Sequence, residues 1–248
     1  MLTQQRYEKI LKLLKERGSI TVTEVKELLD TSESTVRRDI TALDKQGLLV
    51  KVFGGAVAAE QKLTTHEYTV EQKKSLNREE KDTIAGYGAS LIEEEDFVYL
   101  DAGTTTAKMI DYLEKSNASF VTNAVDHAKK LAARGMKVFL IGGELKSSTE
   151  AVVGSQAILT LQEYHFTKGF FGVNGVTKQN GCTTPDAGEA MVKRTAARQC
   201  QKCYVLCDHT KFGNTSSVTF ASFEDVVFLT DRKIPEYEKY KNVITIQD

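Results

Sequence analysis

Ser32-Glu33-Ser34-Thr35-Val36-Arg37-Arg38-Asp39-Ile40-Thr41-Ala42-Leu43 decides how the front of this chain folds. At about 100° per residue, Val36, Ile40 and Leu43 gather on one side of a helix running from about Glu33 to Gln46. Ser34, Arg37, Arg38 and Thr41 gather on the other side, and Asp39 points away from them. A dry back and a front of two arginines with two hydroxyls suits a DNA major groove. Arginine bonds guanine bidentately or reaches a phosphate, and Ser and Thr hydroxyls do either. A helix whose polar face is merely solvated carries the same pattern, so the flanking sequence has to decide.

Upstream, Tyr7, Ile10, Leu11 and Leu14 form one apolar stripe, and Gly18 after Lys15 and Arg17 is a helix stop. Thr21 or Thr23 can cap a second short helix with Val25, Leu28 and Leu29 at apolar spacing, before the polar turn Asp30-Thr31-Ser32. Downstream of Gly47, Leu48 to Phe53 is a β-rich run ending in Gly54-Gly55-Ala56, the pattern of a hairpin wing. Lys51 is placed to touch phosphate, and the glycine pair to let backbone approach it. Three short helices and a wing in this order predict a winged helix-turn-helix over residues 1–57. Its DNA-facing set is Ser34, Thr35, Arg37, Arg38, Thr41, Lys51, Gly54 and Gly55, and its partner is double-stranded DNA.

The whole chain has 248 residues, 33 Lys+Arg against 34 Asp+Glu, and is 41% hydrophobic and 27% charged. That composition excludes a disordered chain and predicts one or two globular domains. No apolar run has membrane-spanning length, and the charged N-terminus lacks a secretory signal, so a cytoplasmic protein without a membrane partner is expected. Residues 1–55 hold 10 Lys+Arg and 8 Asp+Glu, while the remainder is net acidic. So small an excess says little by itself; where the charges point matters more. The four cysteines are expected as thiols. Cys200 and Cys203 make a lone CxxC, and Cys203 and Cys207 share a strand face with Val205, which favours buried structural thiols over a zinc site. The four histidines show no ligand spacing, and no catalytic or nucleotide motif is present, so neither metal nor cofactor is expected.

Residues 58–75 are polar, without apolar period, and are expected to be a linker. From 76 to 248, apolar runs at 97–100, 120–122, 138–141, 169–173, 203–207, 226–229 and 243–246 alternate with helical patterns. This predicts an α/β domain with a mostly parallel sheet. Ligands of such sheets sit at the carboxyl ends of strands. The residues following the runs are Asp101-Ala102-Gly103-Thr104-Thr105-Thr106, Thr122-Asn123, Gly142-Gly143, Asn174 and Asp208 with Lys211. The Gly103 to Thr106 turn offers amides and hydroxyls at a helix start, an anion seat or simply a cap. Lys211 supplies the charge a phosphate wants, and Asp101, Asn123 and Asp208 suit sugar hydroxyls.

Ser34 to Ile40, with Leu43, Gly47-Leu48-Leu49 and Gly54-Gly55-Ala56 at this spacing, resembles the N-terminus of DeoR-type bacterial transcriptional regulators. Phe53 stands where members often carry a histidine. The rest resembles the DeoR-type sensor domain through Glu80-Lys81, Asp101 to Thr106, Thr122-Asn123, Gly142-Gly143, Gly154, Gly181 to Thr184, Glu189, Lys193-Arg194, Asp208 with Lys211-Phe212-Gly213, and Thr230-Asp231. Lys146 stands where an arginine is frequent. The resemblance implies a ribose-5-phosphate-isomerase-like fold, a phosphorylated-sugar effector and a homodimer or homotetramer. It adds Thr184, Asp186 and Glu189 to the effector-binding set. Thr183 to Asp186, Asp208 to Gly213 and Val218 to Phe220 look most like the fructose-operon repressors of the family, which makes fructose 1-phosphate the expected effector. The expected function is therefore a DNA-binding repressor of a sugar-utilisation operon and not an enzyme. The alternative is an isomerase-like sugar-phosphate enzyme using Asp101, Glu189 or Asp208 as base and Lys211 as electrophile, which leaves the Arg37/Arg38 face without a purpose.

Overall fold

The computed structural model describes residues 2–17, 19–46, 48–58, 63–64, 69–114 and 117–246. The expected stop at Gly18, the turn at Gly47 and residues 59–62 and 65–68 of the expected linker lie outside these residues. The chain divides into two compact units, Met1–Lys62 and Leu63–Asp248.

The first unit contains α1 (Thr3–Arg17), β1 (Ser19–Thr21), α2 (Val22–Leu29), α3 (Glu33–Lys45), β2 (Leu49–Val52) and β3 (Gly55–Ala58). Thr21 caps α2 in a reciprocal capping box with Glu24, and Asp30 closes that helix in the left-handed conformation. Ser32 then caps α3. Ile10, Leu14, Val25, Val36, Ile40, Leu43 and Leu49 are buried together, as the apolar spacing requires. Leu28, expected among them, is exposed, because α2 buries only the Val22, Val25 and Leu29 stripe. The wing has three strands rather than two: the order is β1-β3-β2, all antiparallel. Arg6 of α1 grips Asp39 with two bonds, Nε to Oδ2 at 2.6 Å and Nη2 to Oδ1 at 3.0 Å. The carboxylate that points away from the polar face of α3 thus fixes α3 to α1.

The second unit begins with β4 (Leu63–Thr64), α4 (Val70–Ser75) and α5 (Arg78–Ser90). There follow β5 (Phe97–Leu100), α6 (Thr104–Tyr112), β6 (Ser119–Thr122), α7 (Val125–Ala133), β7 (Lys137–Leu140), β8 (Glu144–Leu145), β9 (Val152–Val153) and α8 (Ser155–Gln162). The chain continues through β10 (Phe166–Gly172), β11 (Gly175–Thr177), β12 (Gly181–Thr184), α9 (Ala187–Arg198), β13 (Cys200–Leu206), β14 (Thr215–Ser216), β15 (Val218–Ala221), β16 (Val227–Thr230) and β17 (Val243–Thr245). Two of these elements correct the reading of 58–75 as linker. β4 pairs with β14, and α4 is a helix started by a capping box between Thr69 and Gln72.

Seven strands form one parallel sheet in the order β17-β16-β13-β10-β5-β6-β7. Its strands are apolar on both faces because helices cover both. Tyr99, Val121, Phe171, Val205 and Phe228 enter one core, while Val98, Leu100, Phe120, Phe170 and Leu229 enter the other. Cys203 and Cys207 lie with Val205 in the first core as free thiols. A separate antiparallel ribbon, β11-β12-β15, was not foreseen, because its Gly- and Thr-rich strands read as turns. No helix among the described residues is long and apolar enough to cross a membrane.

The strand order dictates where a ligand fits. From β5 the chain runs outward to β6 and β7, then returns to the other side of β5 to lay down β10, β13, β16 and β17. The topological switch point is between β5 and β10, and the crevice above it is at their carboxyl ends.

Candidate functional site

On α3 the polar face is outward and partly pre-ordered. Ser32 Oγ accepts the Thr35 N–H at 3.2 Å and lies 3.0 Å from Ser34 Oγ and 2.8 Å from Thr35 Oγ1, so both hydroxyls are drawn into the helix cap. Arg37 is exposed and pairs at 2.6 Å with Glu33, one turn earlier. Thr41 Oγ1 donates to the Arg37 carbonyl at 2.7 Å and accepts from Lys51 Nζ at 2.9 Å. The Lys51 N–H donates to Asp44 Oδ1 at 2.9 Å, so the wing is held beside the helix face. Arg38 is exposed and makes no hydrogen bond or ion pair with the described residues. A shallow hollow lies between Arg37, Arg38, Thr41, Ala42 and Lys45; Lys45 belongs to this face though the sequence reading left it out. Gly55 is buried, and a Cβ there would lie 2.0 Å from the Ile20 carbonyl oxygen, so its smallness serves β1–β3 packing rather than approach to phosphate.

The second site lies at the switch point. Asp101, at the end of β5, is buried and pairs with Lys193 of α9. Its Oδ2 also accepts the Gly172 N–H of β10 at 3.0 Å, and Lys193 Nζ donates to the Gly172 carbonyl at 3.2 Å. Burial raises the Asp101 pKa above the ordinary carboxylate value, and Lys193 opposes it. Oδ1 of Asp101 is buried with no hydrogen-bond partner among the described residues, which a buried carboxylate oxygen rarely lacks. Beside this pair, Lys146 holds Asp186 at 2.9 Å and Glu189 at 3.3 Å, and Thr149 donates to Glu189. Burial would raise the Glu189 pKa, yet Lys193, the Thr149 hydroxyl and Lys146 together keep it low. Asp186 caps α9 through the Glu189 N–H at 2.8 Å.

At the start of α6, Gly103 is the cap residue and supplies no side-chain bond. The first-turn amides are therefore uncapped by any side chain, and the half-buried Thr104 and Thr105 hydroxyls hold no partner among the described residues. Thr106 differs: it is buried and donates to the Asp101 carbonyl at 2.7 Å. Four other expected ligands also turn out to hold loops. Asn123 accepts the Ala102 N–H at 2.8 Å, Thr122 accepts that of Ala124 at 3.1 Å, and Thr184 donates to Asn174 at 3.3 Å. Gly143 has φ +150°, and a Cβ there would lie 2.5 Å from the Val153 carbonyl oxygen; Gly142 beside it is exposed.

Asp208 is buried, caps the turn carrying Lys211 through the Thr210 N–H at 3.0 Å, and lies 3.9 Å from Lys211. Lys81, absent from the expected set, is buried between them and α4. Its ammonium donates to the carbonyls of Lys73 and Leu76, the latter at 2.7 Å. Burial pushes its pKa down to about 8; Asp208 opposes this, while Lys211, Lys108 and Lys73 reinforce it. Lys73, Lys108, Lys211 and Asp208 are thus each within electrostatic reach of Lys81, and Lys108 has its own partner in Asp82. Lys73, Lys81, Lys146, Thr149 and Lys193 were missed as site residues because nothing in their spacing says which lysine turns inward.

Glu80, His209 and Asp231 bring potential metal ligands within 4.8 Å of one another, a grouping that sequence spacing did not show. Arg232 pairs with Asp231 at 2.8 Å and Glu80 at 3.1 Å, so the chain answers this negative charge itself.

Residues 76–232 match the DeoR C terminal sensor domain, and residues 6–62 the DeoR-like helix-turn-helix domain. The chain is 37% identical to an uncharacterized HTH-type transcriptional regulator, FruR, of Bacillus subtilis (strain 168), over 100% of this chain and 98% of that one. It is 34% identical to the lactose phosphotransferase system repressor of Streptococcus mutans, over 98% and 100% of the two chains. Among solved structures, ribose 5-phosphate isomerase A from Methanocaldococcus jannaschii shares 15% identity over 55% of each chain, with a TM-score of 0.42. The sorbitol operon regulator SorC from Klebsiella pneumoniae shares 13% identity over 83% of this chain and 88% of its own, with a TM-score of 0.40. With both domains matched and relatives aligned along their full length, the chain belongs to the DeoR family of transcriptional regulators.

Proposed function

We propose that the chain represses a sugar-utilisation operon and that a phosphorylated sugar bound at the β5–β10 crevice controls its grip on DNA. The observation carrying this reading is the unpartnered buried oxygen of Asp101 beside the open first turn of α6. A sugar hydroxyl satisfies the first; a phosphate suits the amides and hydroxyls of the second, with Lys211 and Lys81 supplying charge. Glu189 and Asp186, already oriented by Lys146, face further hydroxyls. One relative is named a lactose phosphotransferase system repressor, which supports a sugar phosphate, and the likeness of Thr183 to Asp186 and Asp208 to Gly213 to fructose-operon repressors keeps fructose 1-phosphate as the first ligand to try. The active species is a homo-oligomer that presents paired α3 helices to repeated half-sites.

Lys81 offers the route for coupling. It holds the carboxyl end of α4, and α4 follows the segment that leaves the DNA-binding unit. A phosphate that draws the ammonium away from the Lys73 and Leu76 carbonyls loosens α4. The ligand then favours one arrangement by its unequal affinity, and a coupling of about 1–3 kcal/mol is ordinary. The test is operator titration at one fixed salt concentration with a panel of sugar phosphates. One of them should shift operator affinity by about 5–150-fold. Lys211→Ala should keep the ligand-free affinity and lose the shift. A normal response in that variant removes Lys211 from the site, and turnover of a sugar phosphate would revive the enzyme reading.

A further inference from the structure

Phe53 is the most exposed large apolar side chain of the described residues, at 109% of its reference area. It stands in a two-residue turn between the paired Val52 and Gly55; Gly54 has φ +82°, open space on its side-chain side, and a carbonyl that accepts the Val22 N–H at 2.9 Å. Val50 and Val52 on the adjoining strand are also exposed. None of the three helps to fold the unit, whose core closes without them.

We propose that Phe53 enters the minor groove beside the α3 half-site and wedges a base step of the operator. This rests on α3 being the reading helix, and it assigns to the wing a contact with bases rather than with phosphate alone. The geometry argues for it. A helix seated in a major groove about 12 Å wide has a phosphate wall roughly 6 Å to each side. Lys51 marks that wall, because its ammonium touches Thr41 on the helix flank and its amide is tied to Asp44. Phe53 lies two residues farther along the wing, up to about 7 Å on at strand spacing; if the wing crosses the phosphates there, the ring meets the neighbouring groove. There a polar or charged tip meets base edges that offer a degenerate pattern. An apolar ring instead gains by partial unstacking, as apolar wedges do in minor-groove binders. Flexible pyrimidine–purine steps yield most readily, so the wing selects sequence by deformability.

The experiment uses the full-length chain and a duplex selected by it from a random pool, with 2-aminopurine placed in turn at each flanking position. Wild type, Phe53→Ala, Phe53→Leu and Arg38→Ala are titrated at one salt concentration. Wild type should brighten the probe at one step. Phe53→Ala should bind about 5- to 150-fold more weakly and lose that signal, Phe53→Leu should retain most of both, and thermal melting should be the same for all three. If Phe53→Ala keeps wild-type affinity and signal while Arg38→Ala binds more weakly, the wedge is wrong and the reading helix stands. If neither variant changes binding, the reading helix itself is wrong. If Phe53→Ala instead lowers the oligomer mass without DNA, the ring serves self-association and the proposal falls.

Discussion

The outward cations of the α3 face in the first unit and the inward lysines of the second are held in opposite ways. In the first, Arg37, Arg38 and Lys51 stand in solvent, held lightly by Glu33 and Thr41 or, for Arg38, by nothing among the described residues. In the second, Lys81, Lys168 and Lys193 are buried. Lys193 meets Asp101, and Lys168 meets Asp96 at 2.7 Å and the Leu91 carbonyl at 2.8 Å. Exposed charge suits a polyanion, whose binding is diffuse and screened by salt. Buried charge suits a small ligand, because in a poorly solvated crevice each interaction is stronger and its geometry is fixed beforehand. The contrast separates a surface that waits from a site that is already assembled.

Lys193→Ala should test the assembled side hardest. It leaves the Asp101 carboxylate buried without its counter-ion, and removing one partner of such a pair costs about 3–5 kcal/mol. Urea unfolding reads this, and the loss should persist at high salt, since buried pairs are poorly screened. A loss below about 1 kcal/mol, or one erased by salt, would put this pair in the same class as the surface charges. His127 sharpens the point by acidification. Its ring is buried beneath the α6 start, bonds the Gly103 carbonyl at 3.2 Å, and has its pKa pushed down to about 4 by burial. The unfolded chain binds this proton at about 6.5, so between those values the unfolded state holds more protons and stability falls as the pH falls. At about 1.36 kcal/mol per unit, roughly 3 kcal/mol is lost by pH 4. His127→Gln should remove this part of the acid sensitivity; an unchanged slope would show that other groups cause it.

Period-2 and period-3.6 patterns made the architecture readable, because burial on one or two faces repeats at those intervals. Val36, Ile40 and Leu43 are buried where their spacing puts them, and the alternation in Phe97-Val98-Tyr99-Leu100 divides between two cores. What escaped notice lacks such a period. Helix α4 has six mostly polar residues; the one clue, Thr69 with Gln72, is a capping box. The antiparallel ribbon hides behind glycines and threonines. In the sensor crevice, Asp101 was found by its place after a strand. The lysine that answers it comes from a helix 92 residues later, a pairing that only tertiary structure creates. Asn123, after a strand, and Thr106, in the first turn of α6, show the reverse: polar residues that look free in sequence are committed to neighbouring loops.

Arg38→Ala probes the waiting surface. If the guanidinium reads a base, operator affinity should fall by about 1–3 kcal/mol and preference should relax at one base pair. If it meets phosphate, binding should weaken on every sequence and the salt slope should drop by about one. Protein stability should not move in either case. Unchanged operator affinity would remove Arg38 from the interface, and a clear loss of stability would mean that the surface is structural after all.

Glu33→Ala should have the smallest effect, and its two parts have opposite signs. Glu33 pairs with Arg37 at 2.6 Å across one exposed helical turn, and it also sits favourably at the start of α3. An exposed pair of this spacing contributes about 0.3–0.5 kcal/mol and a first-turn carboxylate a similar amount, so folding should weaken by about 1 kcal/mol or less, and less still in high salt. Operator affinity should rise, because the substitution removes an anion from a face meant for phosphate and frees Arg37 to swing outward. Weaker operator binding at unchanged stability would mean that Glu33 instead holds Arg37 in its reading position. The exposed face would then share the preorganisation of the sensor crevice, and the contrast between the two units would narrow to burial alone.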